Sequence, residues 1–144
     1  DIAGVLFSSG VDERFRKTRY KAFGFLNVLA LRMSAGVSSL VISRAGSTLF
    51  EIAAWGLPSI IIPITKSNGN HQIKNAFNYA RSGAAVVLEE KNLTPNILIS
   101  EIKRIITDSA TKEKMKRAAF KFARNDASRI IADEVIKMAL THEK

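Results

Sequence analysis

The chain has 144 residues, 47% of them hydrophobic, which suits one domain with a real core. Lys and Arg number 22 against 13 Asp and Glu, giving a formal net charge of +9, and there is no cysteine. Disulfides and thiol chemistry are thereby excluded, and no apolar run reaches the roughly 18 residues that a membrane-spanning helix needs.

Ile2 to Phe7 suits a short strand, with Ser8-Ser9-Gly10 as a turn. Val11 to Lys21 is polar and basic and shows no clear period. Ala22 to Ala35 is apolar at helical spacing, which predicts a helix with Phe25, Leu26, Leu29 and Met33 inward and Gly36 at its end. Leu40 to Ser43 is a β-branched apolar run, a buried strand. Arg44-Ala45-Gly46-Ser47-Thr48 is a small-residue turn, followed by helical spacing at Leu49, Ile52, Ala53 and Leu57. Gly56-Leu57-Pro58 stops that helix, and Ser59 to Ile62, closed by Pro63, reads as a second strand. Strand, turn, helix, strand is a βαβ unit, the building block of a parallel sheet that binds ligands beyond the carboxyl ends of its strands.

Lys66 to Asn70 is a polar loop ending in a residue suited to an N-cap. His71 to Arg81 predicts a helix stopped by Ser82-Gly83, and Ala84 to Leu88 a third strand. Glu89 to Thr94 is a loop, and Thr94-Pro95 opens a helix to about Thr107, with Ile97, Leu98, Ile102, Ile105 and Ile106 on one face. Residues 111 to 125 and 127 to 141 give two more amphipathic, basic helices. The expected fold is therefore α/β, a Rossmann-like parallel sheet flanked by helices, over residues 1–144 as a single domain.

Basic residues cluster at Arg14, Arg16, Lys17, Arg19 and Lys21, then from Lys103 to Arg129. Solvated helix faces explain such clusters as well as an anionic membrane surface or a polyanionic ligand does. Nucleic acid is disfavoured, because aromatics do not interleave with the basic runs.

Two helix starts are candidate sites. The turn at Gly46, Ser47 and Thr48 presents free amides and a positive dipole end, which can hold phosphate, and glycine permits close approach. Glu51 lies one turn on from Thr48, where a carboxylate can accept from both hydroxyls of a ribose. Thr48-Leu49-Phe50-Glu51 equally fits a capping box, S/T-x-x-E, which needs no ligand. The second start is Asn70-His71-Gln72 with Asn75 one turn on, whose amide and imidazole groups suit sugar hydroxyls; a plain cap with a surface histidine explains it as well. Phe25-Leu26 could receive a planar base, with core packing as the alternative. The histidines are His71 and His142, and no metal-ligand spacing appears. No Ser/His/Asp set, cysteine nucleophile or P-loop is present, so no catalytic residue is nominated.

The blocks R-A-G-S-T-x-x-E-I-A-A-x-G-x-P-S-I-x-I-P, N-H-Q-x-x-N-A and G-A-A-V-V-L-E-E-x-N-L-T, in that order, resemble the carboxy-terminal domain of the MurG family. These are two-domain GT-B glycosyltransferases that transfer N-acetylglucosamine from UDP to lipid I, making lipid II in peptidoglycan synthesis. The resemblance runs from about Ala22 to Leu140 and is most specific over Ser43 to Ala76. It implies the donor-binding half of a GT-B fold. Gly46, Ser47 and Thr48, with Leu49 and Phe50, match the helix-start turn at the pyrophosphate. Glu51 matches the ribose glutamate, and His71 and Gln72, with Asn75, match the group that reads the sugar. Phe25 and Leu26 match the pair at the uracil. No cofactor is implied. The implied partners are UDP-N-acetylglucosamine, an amino-terminal domain with no counterpart in this sequence, that domain's lipid-linked acceptor, and peripherally the cytoplasmic face of the bacterial plasma membrane. The first residue is Asp, not Met, and no secretory signal is visible, so a piece of a longer chain is expected, inactive alone. A stand-alone donor-binding subunit with a membrane partner and a non-catalytic basic scaffold are the alternatives.

Overall fold

The computed structural model describes residues 21–65, 70–124 and 126–141. The expected strand at Ile2 to Phe7, the turn at Ser8 to Gly10, the basic residues Arg14 to Arg19, most of the loop before Asn70, and His142 lie outside the described residues. The backbone divides into two compact units, one ending at Ser34 and the other beginning at Ala35.

Among the described residues of the first unit, the chain is irregular from Lys21 through Asn27 and then helical. Helix α1 spans Val28–Val37, not Ala22 to Ala35. A helix start needs partners for its free amides, and Asn27 supplies one: its Oδ1 accepts from Ala30 N at 2.8 Å. The expected inward face is also corrected. Phe25, Leu29 and Met33 are 85%, 69% and 66% exposed, and Leu26 is half-buried. Ala35 is the buried residue of α1, and Gly36 lies within the helix rather than past it.

The second unit is built on three parallel strands in the order β1-β2-β3: Val41–Ser43, Ser59–Ile61 and Ala85–Val87. Ile42 pairs with Ile60, and Ile60 with Val86. The central strand is buried along its whole length, with Ile60 and Ile61 apolar and Ser59 satisfied by Ala84 O. Successive side chains leave it on opposite faces. Ile61 enters a cluster with Leu49, Ala53, Ala76, Tyr79 and Ala119. Ile60 meets Ile105 and Met115 on the other side. Helices thus cover both faces: α2 (Thr48–Trp55) and α3 (His71–Arg81) contribute to the first cluster, α4 (Pro95–Thr107) to the second, and α5 (Ser109–Phe122) to both.

Local signals explain most helix ends. Gly56 closes α2 in the left-handed region, φ 65°, with Gly56 N donating to Ala53 O and Leu57 N to Ile52 O. Thr94 Oγ1 accepts from Ile97 N at 3.3 Å, with Pro95 at the first helical position. Ile105 of α4 is buried and Leu98 and Ile102 are half-buried, whereas Ile97 and Ile106 flank the stripe and are exposed. Helix α5 begins earlier than the apolar spacing shows, because Asp108 caps it. The Asp108 carboxylate accepts from the amides of Ala110 and Thr111 and from the Thr111 hydroxyl. Helix α6 spans Ala127–Thr141 and buries no residue.

Two positions on α2 and α3 or at their ends make opposite demands. A Cβ at Gly56 would run into the ring of Phe120, on a backbone that L side chains rarely adopt. Tyr79 is fully buried, its ring edge-on to Phe122 at 4.9 Å, and its hydroxyl has no hydrogen-bond partner. Burial pushes its phenol up to about 12; the Ser59 hydroxyl opposes this only weakly, outside the geometry of a formed bond. In urea denaturation, Gly56→Ala should cost about 1–3 kcal/mol, from the strained φ and the displaced Phe120 together. Tyr79→Phe should cost less than about 1 kcal/mol or stabilise, because it removes an unpaired buried hydroxyl rather than a bond.

Candidate functional site

The carboxyl ends of β1, β2 and β3 open onto one edge of the sheet, and the loops leaving them carry the candidate residues. The strand pattern continues one step past each end: Ile62 N donates to Ser43 O at 2.8 Å and Leu88 N to Ile61 O at 3.0 Å. The loops therefore start in register.

After β1 the chain turns through Gly46 into α2. A Cβ at Gly46 would meet open space, so glycine leaves the turn uncovered rather than relieving strain. Ser47 sits at the N-cap with helical dihedrals, φ −59° and ψ −26°, and its side chain makes no capping bond. The first turn closes through the backbone instead, with Leu49 N donating to Gly46 O and Phe50 N to Ser47 O. The capping box is therefore not formed. Glu51 is exposed and makes no bond to the helix start, so its carboxylate and the Ser47 and Thr48 hydroxyls remain available. Leu49 is a core residue whose amide is already used, which leaves it no side-chain role at the surface. Phe50 is exposed, and its ring stacks on Phe122 at 6.4 Å.

After β2 the chain reaches α3. Asn70 stands at the N-cap as expected but in the left-handed region, φ 54°, and its side chain makes no capping bond. Two residues of the first turn and a half reach back to neighbouring loops. Gln72 Oε1 accepts from Ile64 N at 3.1 Å. Asn75 Nδ2 donates to Ala45 O at 3.4 Å, beside Gly46. His71 is exposed. The structure thus brings Gly46, Ser47, Thr48 and Glu51 together with His71, Gln72 and Asn75 on one sheet edge. Phe25 and Leu26 belong to the first unit. A cleft of about 320 Å³ lies at the other end of the sheet, between Trp55, Pro58 and Lys116, away from both helix starts.

A polar cluster that sequence reasoning missed joins all three loops. Arg44 Nη1 donates to Glu90 Oε1 at 2.6 Å and to Ile62 O at 3.1 Å. Glu90 Oε2 accepts from the Thr65 hydroxyl at 3.0 Å and from its amide at 3.4 Å. Glu90 opens a 3-10 turn, Glu90–Asn92, within the expected loop. Arg44 and the Glu89-Glu90 pair were visible in the motif blocks. Their pairing was not, since 46 positions separate them and no local period links them.

A parallel α/β unit with two uncapped helix starts beside its strand ends has the architecture of the Rossmann class. The comparison with known proteins narrows this. Residues 8–131 match the model of the glycosyltransferase family 28 C-terminal domain, and the chain belongs to that family. It is 35% identical over 133 residues to a protein of Anaeromyxobacter sp. (strain K), covering 88% of this chain and 35% of that one. It is 37% identical over 138 residues to a protein of Halothermothrix orenii, covering 92% and 36%. Both relatives are named UDP-N-acetylglucosamine–N-acetylmuramyl-(pentapeptide) pyrophosphoryl-undecaprenol N-acetylglucosamine transferase. The chain spans about a third of the length of these relatives. Among solved structures it is similar to Acinetobacter baumannii MurG, with TM-score 0.71 and 24% identity over 81% of this chain and 33% of that one. It is also similar to the glycosyltransferase VinC in complex with dTDP, with TM-score 0.62 and 21% identity over 84% and 29%. The fold is that of one half of a GT-B glycosyltransferase.

The Arg44 guanidinium, then the Thr65 hydroxyl and amide, hold the Glu90 carboxyl below its ordinary value of 4.5. A depressed folded-state value contributes stability that is present above the unfolded value and lost as pH falls through the folded one. Urea titrations should therefore show the parent chain losing stability below about pH 4.5 slightly more steeply than Glu90→Gln, which has no charge to lose there, the difference being small because the pair is exposed. Equal slopes would remove Glu90 from the acid limb.

Proposed function

We propose that this chain binds UDP-N-acetylglucosamine and serves as the donor half of a transferase that passes N-acetylglucosamine to a lipid-linked acceptor in peptidoglycan synthesis. The observation that carries this reading is the pair of uncapped helix starts joined by Asn75 and Ala45, in a chain whose family and relatives are glycosyltransferases.

In this reading the diphosphate lies at the α2 start, where the amides of Ser47 and Thr48 and the helix dipole meet its charge. Glu51 accepts from the ribose hydroxyls, one turn away on the same helix. His71 and Gln72 read the sugar, with Asn75 holding their helix against the diphosphate turn. Gln72 has its carbonyl oxygen bound to Ile64 N, so its amide N–H groups are the ones that face a sugar oxygen.

Transfer breaks the bond between the sugar's anomeric carbon and the diphosphate oxygen. Negative charge then grows on the leaving UDP. A helix start already aimed at that phosphate stabilises this charge more in the transition state than in the bound donor, which is what accelerates the step. The attacking hydroxyl belongs to the acceptor, and among the described residues none is assigned as the base that takes its proton. The chain works at the cytoplasmic face of the plasma membrane, where its net charge of +9 favours anionic headgroups. Among the described residues no helix is long and apolar enough to cross that membrane.

Calorimetric titration tests the reading. UDP-N-acetylglucosamine should bind saturably, and UDP-glucose and ATP more weakly. Glu51→Ala should weaken donor binding by about tenfold, the loss expected for a carboxylate hydrogen-bonded to a ligand, and should leave the melting temperature within about 2 °C because no cap is removed. Unchanged affinity with lowered stability would assign Glu51 to the fold instead.

A further inference from the structure

The three loops at the sheet edge do not share a rigid element. They share one side chain. Arg44 directly follows β1, Thr65 lies four residues past the end of β2, and Glu90 lies three past β3, and all three meet at the Glu90 carboxylate. One oxygen takes Arg44, and the other takes both the hydroxyl and the amide of Thr65. Arg44 also fastens Ile62 O, at the root of the second loop. Ile64, the next residue but one, is held in turn by Gln72 of α3.

We infer that Glu90 is a positioning residue for the donor site: its carboxylate sets the spacing between the diphosphate turn before α2 and the sugar-reading start of α3. This rests on the function proposed above. The pair is too exposed to matter much to the fold, with side-chain exposures of 50% for Arg44 and 35% for Glu90, and such ion pairs add little to global stability. What the carboxylate does instead is restrict loops. A loop held in its bound arrangement loses less freedom when the ligand arrives, so the benefit appears in affinity rather than in melting temperature. Both oxygens are required, because a glutamine has one acceptor oxygen where two are in use.

The test compares Glu90→Gln with Glu89→Gln, whose neighbouring carboxylate pairs with Lys91 and touches neither loop. Two readouts are taken on each chain: calorimetric affinity for UDP-N-acetylglucosamine, and amide hydrogen exchange at Ile64, Thr65 and Gln72. Glu90→Gln should weaken the donor about tenfold, the size expected for losing charged hydrogen bonds, speed exchange at Thr65, and leave the melting temperature nearly unchanged. Glu89→Gln should match the parent chain in both. Parent-like affinity in Glu90→Gln overturns the inference. If the parent chain itself binds no donor, the proposed function fails. Exchange then judges the clamp alone: faster exchange at Thr65 in Glu90→Gln upholds it, and unchanged exchange overturns it.

Discussion

Parallel pairing of β2 with a neighbour on each side is the constraint on which the rest depends. A strand buried on both faces must be wholly apolar or internally satisfied, and Ser59–Ile61 is. Its one polar side chain, Ser59, donates to Ala84 O at 3.5 Å. Parallel pairing forces each connection to cross over through a helix, and the crossovers are α2 and α3. Both helices must then start beyond the carboxyl ends of the strands. The adjacency of Thr48 and His71 is thus a consequence of strand direction, and the bond from Asn75 to Ala45 only trims it.

The two sides of this arrangement have different chemistry. Below the strand ends the contacts are apolar and tight: Tyr79 meets Phe122 edge-on beside Leu49 and Ala53, joining α2, α3 and α5, and Gly56 leaves room for the ring of Phe120. Above them the contacts that join the described loops are polar, and the acceptors are backbone carbonyls, an amide oxygen and one carboxylate. Cores resist deformation, whereas polar loops move unless they are tied. The Arg44, Thr65 and Glu90 cluster ties them where the core cannot reach.

The βαβ core was legible in the sequence because its signals are local. Gly56 marks the end of α2, Thr94-Pro95 marks the start of α4, and the run from Ser59 to Ile61 announces a central strand. Other features depended on which polar side chain wins a backbone partner. Asn27 sets the start of α1 and Asp108 that of α5, and neither follows from apolar spacing. The same competition decided the Thr48 to Glu51 stretch: it has a capping-box pattern, yet the backbone satisfies the first turn and leaves Glu51 free. The outward Phe25, Leu29 and Met33 could not be told from inward ones, because periodicity reports a face and not what covers it.

The account's central claim is that both helix starts serve one nucleotide-sugar. Amide shift mapping of the isotope-labelled chain during titration with UDP-N-acetylglucosamine tests it most directly. The account predicts concerted, saturable shifts at Gly46, Ser47 and Thr48 and at His71, Gln72 and Asn75, with one shared dissociation constant and none on α6. Shifts confined to one helix start, or centred on the cleft between Trp55 and Lys116, would contradict it.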